Sequence, residues 1–168
     1  LETSTFAKRT YYFERNDSMV REREKILSQQ PKLIVLTGQI GVGKVKTAKL
    51  LESKLLSKGC HVYYLGLSNN LSGVLGSNVE ERSDYLDRLI SISYEFCQSG
   101  HLMIISVSDL DDYESEQLKS SMSPFETIFI QIGDLALNQT DINLNLEKDL
   151  NEELATNCEK FLQEVKVI

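Results

Sequence analysis

The stretch Leu33–Val45, with the sequence LIVLTGQIGVGKV, decides the fold. It opens with a short apolar run that is followed at once by glycines, which is typical of a buried parallel strand. A helix is predicted from Gly43 to about Ser57, because apolar residues recur there at helical spacing and Lys58-Gly59 ends the pattern. Strand, glycine loop and helix therefore follow one another directly.

The loop in this stretch fits the pattern Gly-x-x-x-x-Gly-Lys of a phosphate-binding loop. Glycines let successive backbone N–H groups curl around a phosphate, the helix N-terminus adds partial positive charge, and the lysine reaches the outer phosphates. The alternative is a glycine turn followed by an ordinary surface lysine. The strand and helix on either side favour a nucleotide site, whose candidate residues are Gly38, Gln39, Ile40, Gly41, Val42, Gly43, Lys44 and Val45.

One position departs from the motif. The residue after Lys44 should be Ser or Thr, whose hydroxyl binds Mg²⁺, but it is Val45. Thr47 lies roughly 200° further around the helix, so we expect it to face away from a phosphate. The sequence predicts binding of ATP or ADP and argues against magnesium-assisted transfer from ATP.

The strand–helix alternation continues to the end of the chain and predicts a doubly wound α/β parallel sheet of the P-loop fold. Residues 1–30 are interpreted as an N-terminal arm and a leading helix, and residues 31–168 as one P-loop domain. The predicted leading helix is Ser18–Gln29. Further predicted elements are strands His61–Leu65, Leu102–Val107, Phe125–Ile132 and Ile142–Leu146, helices Glu80–Gln98 and Glu114–Ser121, and a closing helix marked by Leu150, Leu154, Phe161 and Val165.

Composition narrows the class of protein. A chain of 168 residues with 41% hydrophobic and 26% charged residues is typical of one ordinary globular domain. A net charge of -7 argues against nucleic acid or an anionic membrane as partners, and no apolar stretch is long enough to span a bilayer. The widely spaced Cys60, Cys97 and Cys158 predict free thiols, with the cytoplasm as the default location. Because the first residue is Leu1, we expect a processed chain or a piece of a longer one.

Several segments beyond the loop resemble the adenylylsulfate kinase family, which phosphorylates the 3'-hydroxyl of adenosine 5'-phosphosulfate. Residues 18–24 resemble its basic leading helix, and residues 61–65 its second strand. Residues 81–90 are similar to its substrate-side helix, and residues 99–106 to its third strand. Together, their order and spacing carry the resemblance through most of the chain.

The resemblance implies roles for some residues. The family's loop glycines and lysine fall on Gly38, Gly41, Gly43 and Lys44, and two substrate-side arginines fall on Arg82 and Arg88. Of an Asp-Gly-Asp-Asn stretch after the second strand, only Asn69 matches. Arg82 and Arg88 could contact phosphate or could instead pair with Glu80, Asp84 or Asp87.

Other family features are absent from the sequence. Residues 66–69 read Gly-Leu-Ser-Asn, so the acidic base is replaced by Ser68, and Leu71 stands where an arginine is expected. The Ser-Pro-aromatic-Arg segment after the third strand is replaced by Ser108-Asp109-Leu110-Asp111, and residues 133–141 leave no room for the basic lid. Asp109 remains a weak metal candidate; the favoured alternative is an acidic turn that caps the next helix.

The sequence therefore predicts a degenerate, adenylylsulfate kinase-like domain that binds a nucleotide and has a regulatory or structural role in sulfate activation. The alternatives are a working kinase and a scaffold that binds no nucleotide. By the resemblance, the expected partners are a sulfate adenylyltransferase domain, fused or separate, and a second copy of the chain in a homodimer.

Overall fold

The computed structural model describes residues 17–66, 79–133, 140–144 and 151–164. These residues form one five-stranded parallel sheet flanked by helices. The strands are β1 (Lys32–Gly38), β2 (Val62–Leu65), β3 (Leu102–Ser108), β4 (Glu126–Ile132) and β5 (Ile142–Leu144). The helices are α1 (Asp17–Leu27), α2 (Lys44–Ser57), α3 (Val79–Gln98), α4 (Asp112–Met122) and α5 (Asn151–Glu164).

The strand order is β2-β3-β1-β4-β5, and every pair is parallel. From β1 the chain crosses to β2 on one side, and from β3 it returns past β1 to β4 on the other. Ligands of open α/β sheets bind where the crossing direction reverses, outside the carboxyl ends of the strands. In this sheet that point lies between the ends of β1 and β3. The predicted doubly wound α/β sheet is confirmed.

Alternate residues of β1 enter different cores. Ile34 and Leu36 face a cluster completed by α2 and α5, whereas Leu33 and Val35 face a cluster completed by α3 and α4. All seven residues of β1 are buried, as expected for a central strand covered on both faces. Because helices cover both faces, access to the sheet is left at the strand ends.

Two predicted helix boundaries are wrong for identifiable reasons. The leading helix ends at Leu27, since the side-chain amide of Gln29 instead donates to the carbonyls of His61 and Gly100. Helix α4 starts at Asp112, two residues before the predicted Glu114, because Asp111 caps it. The remaining described boundaries agree within one residue, and the predicted ends of β5 and the closing helix lie outside the described residues.

The three cysteines are free, as predicted, and all three are buried. Cys60 and Cys158 belong to the core under α2 and α5, and Cys97 belongs to the core under α3 and α4. Among the described helices, none has the length and apolar character needed to cross a bilayer.

Candidate functional site

The loop between β1 and α2 depends on glycine at its first position. Gly38 has a φ of 155°, and a Cβ added there would lie 2.5 Å from the carbonyl oxygen of Ile132 on β4. Gly41 and Gly43 have φ values of 88° and 90°, in the left-handed region that favours glycine. The glycine spacing therefore sets both the turn and its close packing against β4.

Helix α2 begins without a side-chain cap. Gly43 occupies the N-cap position, the first turn carries no acidic residue, and the first intrahelical bond runs from Thr47 N to Gly43 O at 2.9 Å. The first N–H groups of a helix have no partner within the helix, and they carry partial positive charge. An uncapped N-terminus after a glycine loop can receive an anion.

Lys44 is folded back over the loop. Its Nζ donates a hydrogen bond of 2.7 Å to the carbonyl oxygen of Gln39, and the residue is only 7% exposed. Burial lowers the pKa of Lys44, and the negative charge of Asp109 partly opposes that effect. The ammonium group is thus held at the loop, where an anion can replace the carbonyl as its partner.

The first turn of α2 offers no oxygen at the position where the motif has one. Val45 is 49% exposed and presents only carbon, while Thr47 is fully buried. That Thr47 faces away from the loop stays a prediction. Within the described ranges, no group of three or more His, Cys, Asp or Glu side chains is arranged to hold a metal ion. The side chains of this turn do not fit the magnesium site that the motif implies.

The end of β3 is tied to the end of β1. Asp109 N donates to the carbonyl of Gly38 at 2.9 Å, and Leu110 N donates to the side-chain oxygen of Thr37 at 3.1 Å. Asp109 itself is exposed and has a positive φ of 51°. These bonds bring Asp109 beside the glycine loop, close enough for its charge to act on Lys44.

Arg82 on α3 reaches the same end of β3. Its guanidinium forms a bidentate ion pair with the Glu114 carboxylate on α4. It also donates to the carbonyl oxygens of Ser108, at 2.9 Å, and Asp109, at 3.3 Å. Sequence reasoning considered only neighbours on its own helix and missed Glu114. The only sequence signal for Glu114 was its place at N3 of a capping box.

The other predicted substrate-side residues are not brought into this cluster by any described contact. Arg88 is exposed further along α3. Asn69 lies outside the described residues, as do Leu67, Ser68 and Leu71, so their positions relative to the loop stay predictions. Residues 133–141 join β4 to β5, and of these 134–139 also lie outside the described part.

Comparison with known proteins identifies the family. A profile described as adenylylsulphate kinase matches residues 30–158, which is most of the chain. The chain belongs to the adenylylsulphate kinase family. This finding confirms the resemblance carried by the loop and the segments after it.

Relatives in this family include fused and single enzymes. The bifunctional enzyme CysN/CysC of Mycobacterium tuberculosis is 32% identical over 104 residues, which are 57% of this chain and 17% of that enzyme. The adenylyl-sulfate kinase of Clostridium acetobutylicum is 32% identical over 87 residues, which are 50% of this chain and 44% of that kinase. The matched regions therefore span less than half the length of these relatives.

Solved structures agree on the fold. The Mycobacterium tuberculosis APS kinase CysC in complex with AMPPNP and APS superposes with a TM-score of 0.68 at 19% identity, covering 80% of this chain and 99% of that chain. A gluconokinase from Sinorhizobium meliloti superposes with a TM-score of 0.61 at 14% identity, covering 82% and 95%. At these identities the likeness supports the P-loop kinase fold alone.

Proposed function

We propose that this adenylylsulphate kinase-family chain is a nucleotide-binding domain that has lost efficient phosphoryl transfer and serves a regulatory or structural role in sulfate activation. One observation carries the proposal: a complete glycine loop with a buried lysine stands directly before Val45, which cannot bind a metal ion. Binding of a nucleotide and transfer of its phosphate make separate demands, and this site meets the first better than the second.

Nucleotide binding is supported by the backbone and by one side chain. The uncapped N-terminus of α2 provides N–H donors for phosphate oxygens, and Lys44 lies beside the Gln39 carbonyl, ready to exchange it for an anion. Neither group needs a metal ion to attract a phosphate. ATP and ADP are therefore both expected ligands of this loop.

The proposed loss of phosphoryl transfer is supported by the residues on the acceptor side, the region after β3 where the substrate that accepts the phosphate would bind. A transferring phosphoryl group carries charge over three oxygens, which kinases neutralise with cations and magnesium. Here the segment after β3 brings the carboxylates of Asp109 and Asp111 instead, and Arg82 is already paired with Glu114. In the sequence, Ser68 replaces an acidic base and the basic lid is missing. The remaining cations are too few for efficient transfer.

An active kinase is the second candidate, because Asp109 is an exposed carboxylate beside the loop. A carboxylate in that place could bind a metal ion in place of the missing hydroxyl. Such a kinase would need the absent base and cations from a partner or another domain. It predicts ATP-dependent formation of the 3'-phosphorylated product.

Partners and location follow from the family and remain part of the proposal. The fused relative CysN/CysC suggests a sulfate adenylyltransferase domain, joined to this one or separate, as the partner. A homodimer is a further expectation from the family. Three free, buried cysteines suit a reducing compartment, so we propose the cytoplasm.

The test is isothermal titration of the chain with ATP, ADP, adenosine 5'-phosphosulfate and its 3'-phosphorylated product, each with and without Mg²⁺. We expect ATP and ADP to bind with affinities that ignore Mg²⁺, and chromatography after incubation to recover the nucleotides unchanged. Turnover, or ATP binding that strengthens with Mg²⁺, would overturn the proposal. If none of the four ligands bound, the proposal would also fail, and the chain would instead be a scaffold that binds no nucleotide.

Val45→Thr sharpens this experiment, because the two side chains have nearly the same shape and position 45 is half exposed. The variant should make ATP binding strengthen with Mg²⁺ while ADP binding without Mg²⁺ stays at the wild-type value. Val42→Thr is the matched control, since it adds a hydroxyl to a loop position where the motif needs none. Equal responses to Mg²⁺ in both variants would remove Val45 as the reason.

A further inference from the structure

Arg82 and Glu114 form a bidentate ion pair at the carboxyl end of the sheet. Arg82 Nε donates to one carboxylate oxygen, and Nη2 donates to the other at 2.9 Å. Parallel pairing of this kind is how arginine recognises carboxylate, phosphate and sulfate groups alike. In effect, the Glu114 carboxylate takes the place that an anionic ligand would take.

The pair is held in place on both sides. Glu114 Oε1 also accepts from Asp111 N at 3.2 Å, as half of the capping box of α4. Arg82 donates to the carbonyls of Ser108 and Asp109 at the end of β3. The two side chains are only 25% and 13% exposed, so neither swings freely into water. An incoming anion would have to displace a carboxylate that is already well bound.

The pair lies where a second ligand of this sheet would bind. Ser108 is in register with Gly38, and Asp109 N donates to the carbonyl of Gly38. The Arg82 guanidinium donates to the carbonyls of Ser108 and Asp109, and is therefore at the end of β3 that borders the crevice between β1 and β3. Of the charged groups that act on it, Glu114, Asp109 and Asp111 are all acidic, and together they outweigh its single positive charge.

We propose that Glu114 is a specificity-determining residue that occupies the anion-binding face of Arg82 and excludes an anionic second ligand from this side of the cleft. The chain then binds one nucleotide at the glycine loop and rejects a phosphosulfate or phosphate group beside it. This inference rests on the proposed function, since it assigns the acceptor side of the same site.

Glu114→Gln tests the proposal with little change of shape. Glutamine also serves at N3 of a capping box, so the cap of α4 is retained while the charge is lost. Titration with adenosine 5'-phosphosulfate should show at least about tenfold tighter binding to Glu114→Gln than to the wild type, because one charge-assisted pair becomes available. Glu116→Gln removes an equal charge from an exposed position of α4 and should leave that affinity unchanged.

A double variant separates a ligand site from a purely structural pair. In Arg82→Gln/Glu114→Gln the gain in affinity should disappear, because no guanidinium remains to bind the anion. Thermal unfolding of all variants checks that each is folded at the titration temperature. Loss of a structural tie would lower the unfolding temperature in both Glu114→Gln and the double variant without creating an affinity that depends on Arg82.

Two results would overturn the inference. One is equal binding of adenosine 5'-phosphosulfate by wild type and Glu114→Gln; the other is wild-type binding that already falls about tenfold in Arg82→Gln. Titration of the same variants with ADP measures nucleotide binding at the glycine loop independently of the Arg82–Glu114 pair. Failure of ADP to bind any variant would count against the proposed function alone, whereas an anion gain that depends on Arg82 would still support the role of Glu114.

Discussion

Two helices begin at the same edge of the sheet, and they begin differently. Helix α2 starts after Gly43 with no side-chain cap and no acidic residue in its first turn. Helix α4 starts after Asp111, whose carboxylate accepts from Glu114 N at 2.7 Å, and the Glu114 carboxylate in turn accepts from Asp111 N at 3.2 Å. One N-terminus is open to an outside anion, whereas the other is closed by acidic groups of the chain itself.

Under the proposed function, this difference separates the nucleotide loop from the region where a second substrate would bind. Around α2, sequence and geometry provide what a phosphate requires: glycines, a helix N-terminus without a side-chain cap, and Lys44. Around α4, the charged side chains of Glu114, Asp111 and Asp109 act on Arg82, and all three are acidic. Under the proposed function, this chain keeps the nucleotide loop, while Arg82 and Glu114 join α3, β3 and α4 where the acceptor would bind.

The largest effect is expected from Gly38→Ala, which alters the glycine loop before the uncapped N-terminus of α2 (the open side). A Cβ at this position would lie 2.5 Å from the Ile132 carbonyl, and neither main chain can move away without breaking the β1–β4 pairing. We expect a loss of about 3 kcal/mol in the free energy of unfolding, measured with urea, together with loss of ADP binding.

Gly59→Ala is the control for that variant. Gly59 also has a positive φ, of 86°, but nothing lies within 4 Å of an added Cβ. Only the strain of the left-handed backbone is expected, about 1 kcal/mol, with ADP binding intact. Equal losses in the two variants would mean that strain alone, and not the contact with β4, requires glycine at position 38.

Lys44→Met removes the cation of the open side and keeps most of its apolar stem. ADP affinity should fall about tenfold to hundredfold, the contribution of a hydrogen bond to a charged group. Lys46→Met is the matched control, since Lys46 is exposed two residues further along α2. If calorimetry gave the same affinity for both variants, the loop would not use Lys44 to bind a phosphate.

Asp111→Ala tests the closed side. Removal of an N-cap carboxylate typically costs about 1 kcal/mol of the free energy of unfolding. Asp111→Asn should recover most of it, because asparagine caps as well as aspartate does. ADP affinity should stay at the wild-type value in both. A clear loss of ADP affinity in Asp111→Ala alone would show that the two helix starts are coupled.

Sequence reasoning predicted the open side better than the closed one, for a physical reason. The loop is a local feature: its glycines, lysine and flanking strand and helix are adjacent in sequence, and each has a distinct chemical role. The Arg82–Glu114 pair joins residues 32 positions apart on two different helices. The rules for side-chain pairs three or four residues apart on one helix suggested only Glu80, Asp84 or Asp87 as partners. Such rules give no information about contacts between helices.

The fold was predictable for the same reason. Apolar runs followed by glycine, as at Leu36–Gly38, mark buried parallel strands, and handed crossovers leave few topologies for them. Two helix ends were predicted less well: a local capping box sets the start of α4, and tertiary bonds set the end of α1. Gln29 leaves the leading helix to bridge His61 and Gly100, and no periodicity of residues 18–29 signals that bridge.

The smallest effect is expected from Asp109→Asn, which changes the charge between the two sides. Asp109 raises the pKa of Lys44 against the lowering caused by burial, so its neutralisation should lower that pKa further. A phosphate prefers the protonated lysine, and ADP affinity must therefore fall as pH rises through the Lys44 pKa. In Asp109→Asn this fall should begin at a lower pH than in the wild type, because the charge that raises the pKa of Lys44 is gone.

Near neutral pH the same variant should bind ADP slightly more tightly, by about twofold to threefold, because it removes a negative charge that repels the ADP phosphates. The effect is small because Asp109 is exposed and its charge is partly screened. ADP affinity measured from neutral to alkaline pH for the wild type, Asp109→Asn and the control Glu116→Gln tests both expectations. Opposite signs at neutral and alkaline pH would place Asp109 at the boundary between loop and acceptor side. A uniform change at all pH values would mean that Asp109 acts on the ligand without acting through Lys44.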